Sequence, residues 1–195
     1  MKQFRGISDV FVAKVLTDDE EGITFETPER LMYVARVGKE VSSDSASLFY
    51  DNKAMAVVNS EGADAITIEG SALDLPMLAK ITGKIYDETL GMLVDSERSV
   101  DYFALGYKEK MLDGTYRYNW RMKGTFAIPS TEANTENDGT DSNGQTVNFT
   151  GVFTEHKFEK AGNKPAKGIV VSDESADVTD WFTTVKTPDD VVAKA

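Results

Sequence analysis

Apolar and polar residues alternate along much of this chain, and the period is two. Residues 9–16 place Phe11, Ala13 and Val15 on one side, as in a strand with one buried face. An acidic turn follows at 18–22, then a short return strand at 22–27 that Pro28 ends. Residues 31–37 are strongly β-prone. Residues 39–50 also read as extended, although serines stand at 42, 43, 45 and 47. Asp51 and Asn52 mark a turn, and strands are expected at 54–58 and 65–69. The clearest alternation lies at 101–127, where two strand-like runs flank Met111-Leu112-Asp113-Gly114, a hairpin connector. In the second run Tyr116, Tyr118, Trp120, Met122 and Phe126 are expected on one face. Arg117, Asn119, Arg121 and Lys123 are expected on the other.

The period changes in only two places. Around 71–82, Leu75, Leu78, Ala79 and Ile81 fall at helical spacing. Ser71 is the expected N-cap, with Asp74 three residues on, and Gly83 the expected terminator. Val178, Trp181, Phe182 and Val185 have the same spacing, which predicts a short C-terminal helix. Residues 84–98 read as a connector with an apolar patch at 90–94. The stretch 129–145 is almost free of apolar residues and reads as a long polar loop. Further strands are expected at 146–157 and 166–172. Together these elements predict a mainly β fold, a sandwich or half-barrel whose one clear helix covers an open side. One domain is expected over 1–186, with 187–195 as a flexible tail.

Composition narrows the chemistry. The 195 residues include no cysteine, one histidine and a formal net charge of −12. Disulfides and thiolate metal sites are excluded, and binding by phosphate neutralisation is disfavoured. No apolar run approaches the roughly 20 residues that span a bilayer, and the N-terminal residues do not read as a secretion signal. No serine sits in a nucleophile elbow, and Gly83-Lys84 lacks the loop of a phosphate-binding motif. The aspartates of the 138–143 stretch lack the spacing and closing glutamate of a calcium loop. Hence no catalytic residue, metal site or cofactor is expected. The central hairpin is a basic stretch on this acidic chain. Its Lys108, Arg117, Arg121 and Lys123 are candidates for contact with an acidic patch of an identical copy.

The identities within the hairpin add a resemblance. Tyr102-Phe103-Ala104-Leu105-Gly106-Tyr107, then Asp113 to Trp120, then Lys123-Gly124-Thr125-Phe126 are similar to strands of the major tail proteins of long-tailed, non-contractile bacteriophages. The order of neighbouring elements fits as well: Ser8-Asp9-Val10, Phe25 to Glu29, Tyr50-Asp51-Asn52, the helix ending in Gly83, and Phe126-Ala127-Ile128-Pro129. The resemblance covers roughly residues 7 to 160.

That resemblance implies a structural virion protein whose hexameric rings stack into a tail tube that delivers DNA. It implies as partners a tape measure, a tail terminator and baseplate or distal tail proteins. It implies residence in the virion tail, with host cytoplasm as the place of assembly, and double-stranded DNA passing without specific binding. Twenty-four strands at about 4.8 Å spacing and about 40° tilt would close at a diameter of about 48 Å, wide enough for a duplex. An acidic or small polar lining lets phosphates slide, which makes Ser43, Asp44, Ser45 and Ser47 the lumen candidates. Two alternatives are another phage structural sandwich, such as a head decoration or tail-end protein, and a carbohydrate-binding or adhesion sandwich.

Overall fold

The computed structural model describes residues 3–50, 53–130 and 144–194, and of residues 44–50 and 53–59 the backbone alone. Most of the expected polar loop, residues 131–143, lies outside the described residues. The strands are β1 (Phe4–Asp18), β2 (Ile23–Phe25), β3 (Glu29–Met32), β4 (Val34–Tyr50) and β5 (Lys53–Gly70). After helix α1 (Leu75–Thr82) come β6 (Ile85–Asp87), β7 (Met92–Val94), β8 (Phe103–Met111), β9 (Tyr116–Phe126) and β10 (Gln145–Gly151). Short β11 (Lys157–Phe158), β12 (Lys164–Pro165) and β13 (Gly168–Ser172) complete the set.

Nine of these strands make one antiparallel sheet in the order β2-β1-β8-β9-β10-β5-β4, with β3 also on β1 and β13 also on β9. The sheet curls: β1 and β4 approach each other although four strands separate them. The result is a mainly β half-barrel with one helix. Several boundaries differ from expectation, and the strand expected at 146–157 ends at Gly151. The run at 31–37 is broken at Tyr33 into β3 and β4, and the strands at 54–58 and 65–69 are one continuous β5. The connector at 84–98 contains the small β6–β7 hairpin. Backbone pairing across β4–β5 carries the chain through serine and glycine positions that propensity alone would leave open.

Each sheet face has its own core. The concave face gathers Val10, Val12, Ile66, Ile68, Phe103, Leu105, Phe126, Val147 and Phe149, and α1 adds Met77 and Ile81. Phe126 meets Phe103 and Phe149 edge to face, with ring centroids 5.6 and 5.0 Å apart. The convex face holds Ala13, Ala104, Trp120, Trp181 and Val185. There Phe11 stacks on Phe182 at 4.8 Å, and Trp120 Nε1 donates to the Trp181 carbonyl at 3.0 Å.

A bulge corrects the expected face assignment in β9. Phe103 pairs with Gly124, yet Leu105 pairs with Arg121, so one extra β9 residue lies between. Tyr118 and Trp120 therefore pack in the convex core while Phe126 enters the concave one. Strict alternation had put them together; the extra residue reverses the face. Two glycines make room for the aromatics. A Cβ on Gly106 would lie 2.7 Å from the Trp120 ring, and one on Gly124 would collide with Phe149.

The helix is capped by Asp74 instead of Ser71. The Asp74 carboxylate accepts the Met77 N–H at 3.0 Å, and the Ser71 hydroxyl instead accepts the Tyr33 N–H. Gly83 ends the helix at φ 66°, as expected. The expected C-terminal helix is absent: residues 178–185 form turns, with Trp181 N–H bonding to the Val178 carbonyl. The apolar spacing is real, but Trp181 and Val185 are buried by turns that lay them on the convex face. Residues 187–194 are docked, contrary to the expected flexible tail. Ala176 and Ala193 form a β-bridge, and Lys160 Nζ donates to the Asp189 and Val191 carbonyls.

Candidate self-assembly surface

The β4–β5 hairpin extends past the rest of the sheet's pairing. Near its base, β5 is paired on both sides, with β4 and with β10 from Asp64 to Gly70. Beyond that, Ser45 to Tyr50 and Lys53 to Asn59 form a two-stranded ribbon with no third strand among the described residues. Seven residues of strand extend about 24 Å. An isolated two-stranded ribbon is marginal in water, and a free strand edge is a template for pairing with another chain. In sequence the ribbon also carries Leu48, Phe49, Tyr50, Met55, Val57 and Val58.

The lumen candidates fall here. Positions 43 to 47 pair in regular register with 57 to 61 of β5. Ser43 is exposed. The side chains of Asp44, Ser45 and Ser47 lie outside the described residues.

The β6–β7 hairpin is an exposed apolar surface. Ile85, Leu90, Met92 and Val94 are all exposed there, on a sheet of two strands.

The four basic candidates of the central hairpin do not form one free face. Lys108 Nζ lies 2.6 Å from Asp9, whose backbone is left-handed at φ 57° in a β1 bulge. Arg30 reaches the same carboxylate at 3.0 Å. Lys123 lies 2.6 Å from Asp18 and 3.2 Å from Glu155. Arg121 is buried on the concave face, 3.5 Å from Asp64. Only Arg117 has no ion-pair partner among the described residues, and its guanidinium lies over the Phe4 ring at 5.4 Å. Three of the four cations are thus neutralised within the chain. The bulge separates Lys123 from Arg121, and long-range carboxylates that sequence spacing could not reveal pair with them.

No protein-family model matches this chain. A search of curated proteins likewise finds no match.

Two carboxylates missed by sequence inspection organise the charged parts of the sheet. Asp64 is 1% exposed and receives Lys39 at 2.9 Å, Lys167 at 3.2 Å and Arg121 at 3.5 Å. Burial pushes its carboxyl upward, but the bonds from Lys39 and Lys167 and the charges of Lys39 and Arg121 outweigh that and hold it below the ordinary value. Asp18, expected in a solvated turn, is pinned: it accepts the backbone N–H groups of Glu155 and His156 besides Lys123. Burial again acts upward, and these bonds win, so its carboxyl also sits low. Lys39 and Asp64 are 25 residues apart in sequence, and Lys167 is 103 beyond Asp64, so no local pattern announces them.

Arg121 also helps line a groove of about 690 Å³ at the open end of the half-barrel, between β1, β4, β8, β9 and β13. Arg36, Lys39, Arg117 and Arg121 line it together with Glu109, which accepts from Asn119 at 3.1 Å; Arg36 pairs with Glu69 at 2.8 Å, and Lys39 and Arg121 with Asp64. This arrangement suits recognition of carboxylates.

Proposed function

We propose that this chain is a structural subunit that self-assembles through its sheet edges into stacked rings, as the tube protein of a phage tail or phage-like particle. The observation that carries the proposal is the β4–β5 ribbon, long and two-stranded, with no third strand beside it among the described residues. Pairing with a neighbouring copy supplies the missing hydrogen bonds by β-augmentation. Closure into a ring removes the edges altogether. The exposed apolar residues of β6–β7 fit the same role, since such patches mark association surfaces. The resemblance of residues 102–126 to tail-tube strands supports the choice of a tube over other assemblies. Six-fold rings, double-stranded DNA passing through the lumen, and a tape measure, tail terminator and baseplate as partners belong to this proposal. So does residence in the tail.

Negative-stain microscopy and sedimentation test it. The wild-type chain is expected to form rings or tubes as concentration rises. A chain in which residues 44–60 are replaced by Asn-Gly, joining Ser43 to Glu61, is expected to keep the monomer fold and lose rings. A wild-type chain that stays monomeric at its solubility limit would falsify the proposal, and rings from the trimmed chain would count equally against it. The lumen assignment has its own test in particles: Ser43→Lys with Ser45→Lys is expected to leave tubes intact and slow DNA ejection. Unchanged ejection removes those positions from the channel wall.

A further inference from the structure

The cationic groove and the acidic turn lie at opposite ends of the same strand. Phe4, Gly6 and Ile7 at the start of β1 form one wall of the groove. Asp18 ends β1, and the turn Asp19-Glu20-Glu21-Gly22 follows directly. A straight strand of this length spans about 50 Å.

The turn is rigid. Asp18 is tied to Lys123 and to the backbone of Glu155 and His156. Asp19 Oδ1 accepts the N–H groups of Glu21 and Gly22 at 2.9 and 3.1 Å. Glu20 and Glu21 are exposed, and among the described residues neither has an ion-pair partner. The turn therefore presents two free carboxylates with their entropy of ordering already partly spent.

The groove is built to receive them. Arg121 is more than nine-tenths buried, lines the groove, and its Nε has no hydrogen-bond partner. Its only ion-pair partner among the described residues, Asp64, is shared with Lys39 and Lys167. Lys167 also pairs with Glu61 at 2.7 Å, so Lys39, Arg121 and Lys167 share two carboxylates and a single positive charge remains at the floor. Arg117 adds a guanidinium whose only described contact is the Phe4 ring. This is a concentration of positive charge on a chain of net charge −12.

We infer that copies of this chain dock head to tail, with Glu20 and Glu21 of one copy entering the Arg117–Arg121 groove of the next. Resting on the tube proposal, this assigns the contact along the tube axis. The interface is heterologous, one patch meeting a different patch, and such contacts propagate instead of closing a dimer. Charge-assisted carboxylate–guanidinium bonds set its register.

Charge exchange between copies tests it. One variant carries Glu20→Lys and Glu21→Lys; the other carries Lys39→Glu and Arg117→Glu. Each alone sets like charge against like charge and is expected to lose axial association at least tenfold in sedimentation velocity. Mixed one to one, the cationic turn faces the acidic groove and the acidic turn faces the cationic groove, so association is expected to return. Because Lys39 also serves Asp64, Arg117→Glu alone is the fallback if the double variant unfolds on circular dichroism, with the same outcomes required. Wild-type stacking by either variant alone, or a mixture that stays apart, overturns the groove contact. Microscopy separates this from the tube proposal. Full tubes from the single variants defeat the groove contact and leave the tube standing. A mixture that joins into open fibres without six-fold rings does the reverse.

Discussion

At one end of the concave face Phe103, Phe126 and Phe149 meet ring against ring beside α1. At the other, a few residues along the same strands, Asp64 takes three cations and the half-barrel opens into a groove. The apolar end is held by area removed from water, which is non-directional and spread over many contacts. The charged end is held by partners that must each be present, because an unpaired buried charge costs far more than a lost contact. The apolar end is closed and serves the fold. The charged end leaves the buried Arg121 Nε without a hydrogen-bond partner.

Phe126→Ala is the severest way to break the apolar end. Deleting a buried aromatic that touches two others is expected to cost about 3–5 kcal/mol, read as a lower urea midpoint with the slope unchanged. A loss below about 1 kcal/mol would mean that the ring contacts do not carry this core.

Asp64→Ala breaks the charged end. It strands Arg121, while Lys167 keeps Glu61 and Lys39 can turn to water, and is expected to cost about 3 kcal/mol, the low end for a broken buried pair. Replacing Asp64, Lys39, Lys167 and Arg121 together by apolar residues of similar volume is expected to restore most of that stability while abolishing the groove. If the single and the combined replacements are equally destabilising, the charges are not what holds this end.

Acid gives the gentlest test. The folded carboxyls of Asp9, Asp18 and Asp64 all sit below their ordinary value. In each, burial acts upward but is outweighed by cationic partners and, in Asp18, by backbone N–H groups as well. A depressed folded value contributes stability that is complete above the unfolded pKa near about 3.9 and is lost as pH falls through the folded value. Wild-type stability is therefore expected to be level between pH 6 and 7 and to decline below about pH 4. Asp64→Asn should decline less steeply over the same range, while Phe126→Ala should follow the wild-type slope from a lower start. Parallel slopes for wild type and Asp64→Asn would remove Asp64 from this account.

Some of this was legible in the residues and some was not. The hairpin at β8–β9 could be read from its alternation and its Asp-Gly turn, and the helix from its spacing and Gly83. Both depend on neighbours a few positions away. The face reversal in β9 could not be read, because one extra residue in a ladder leaves no mark on composition. The turns at 178–185 kept the apolar spacing of a helix and buried the same side chains without one. The ion pairs at Asp18, Asp64 and Asp9 join residues from distant strands, so the basic stretch looked free when most of it was paired.

By itself, then, the sequence determined the mainly β character, the central hairpin, the helix with its glycine stop, and the acidic and basic stretches. Period, turn chemistry and charge are local properties of a chain. Only the tertiary structure decided which cations stay available, which carboxylates are buried, and that a cationic groove and an acidic turn stand at opposite ends of one strand. Those depend on sheet order, register and curl, which bring together residues that the sequence keeps a hundred positions apart.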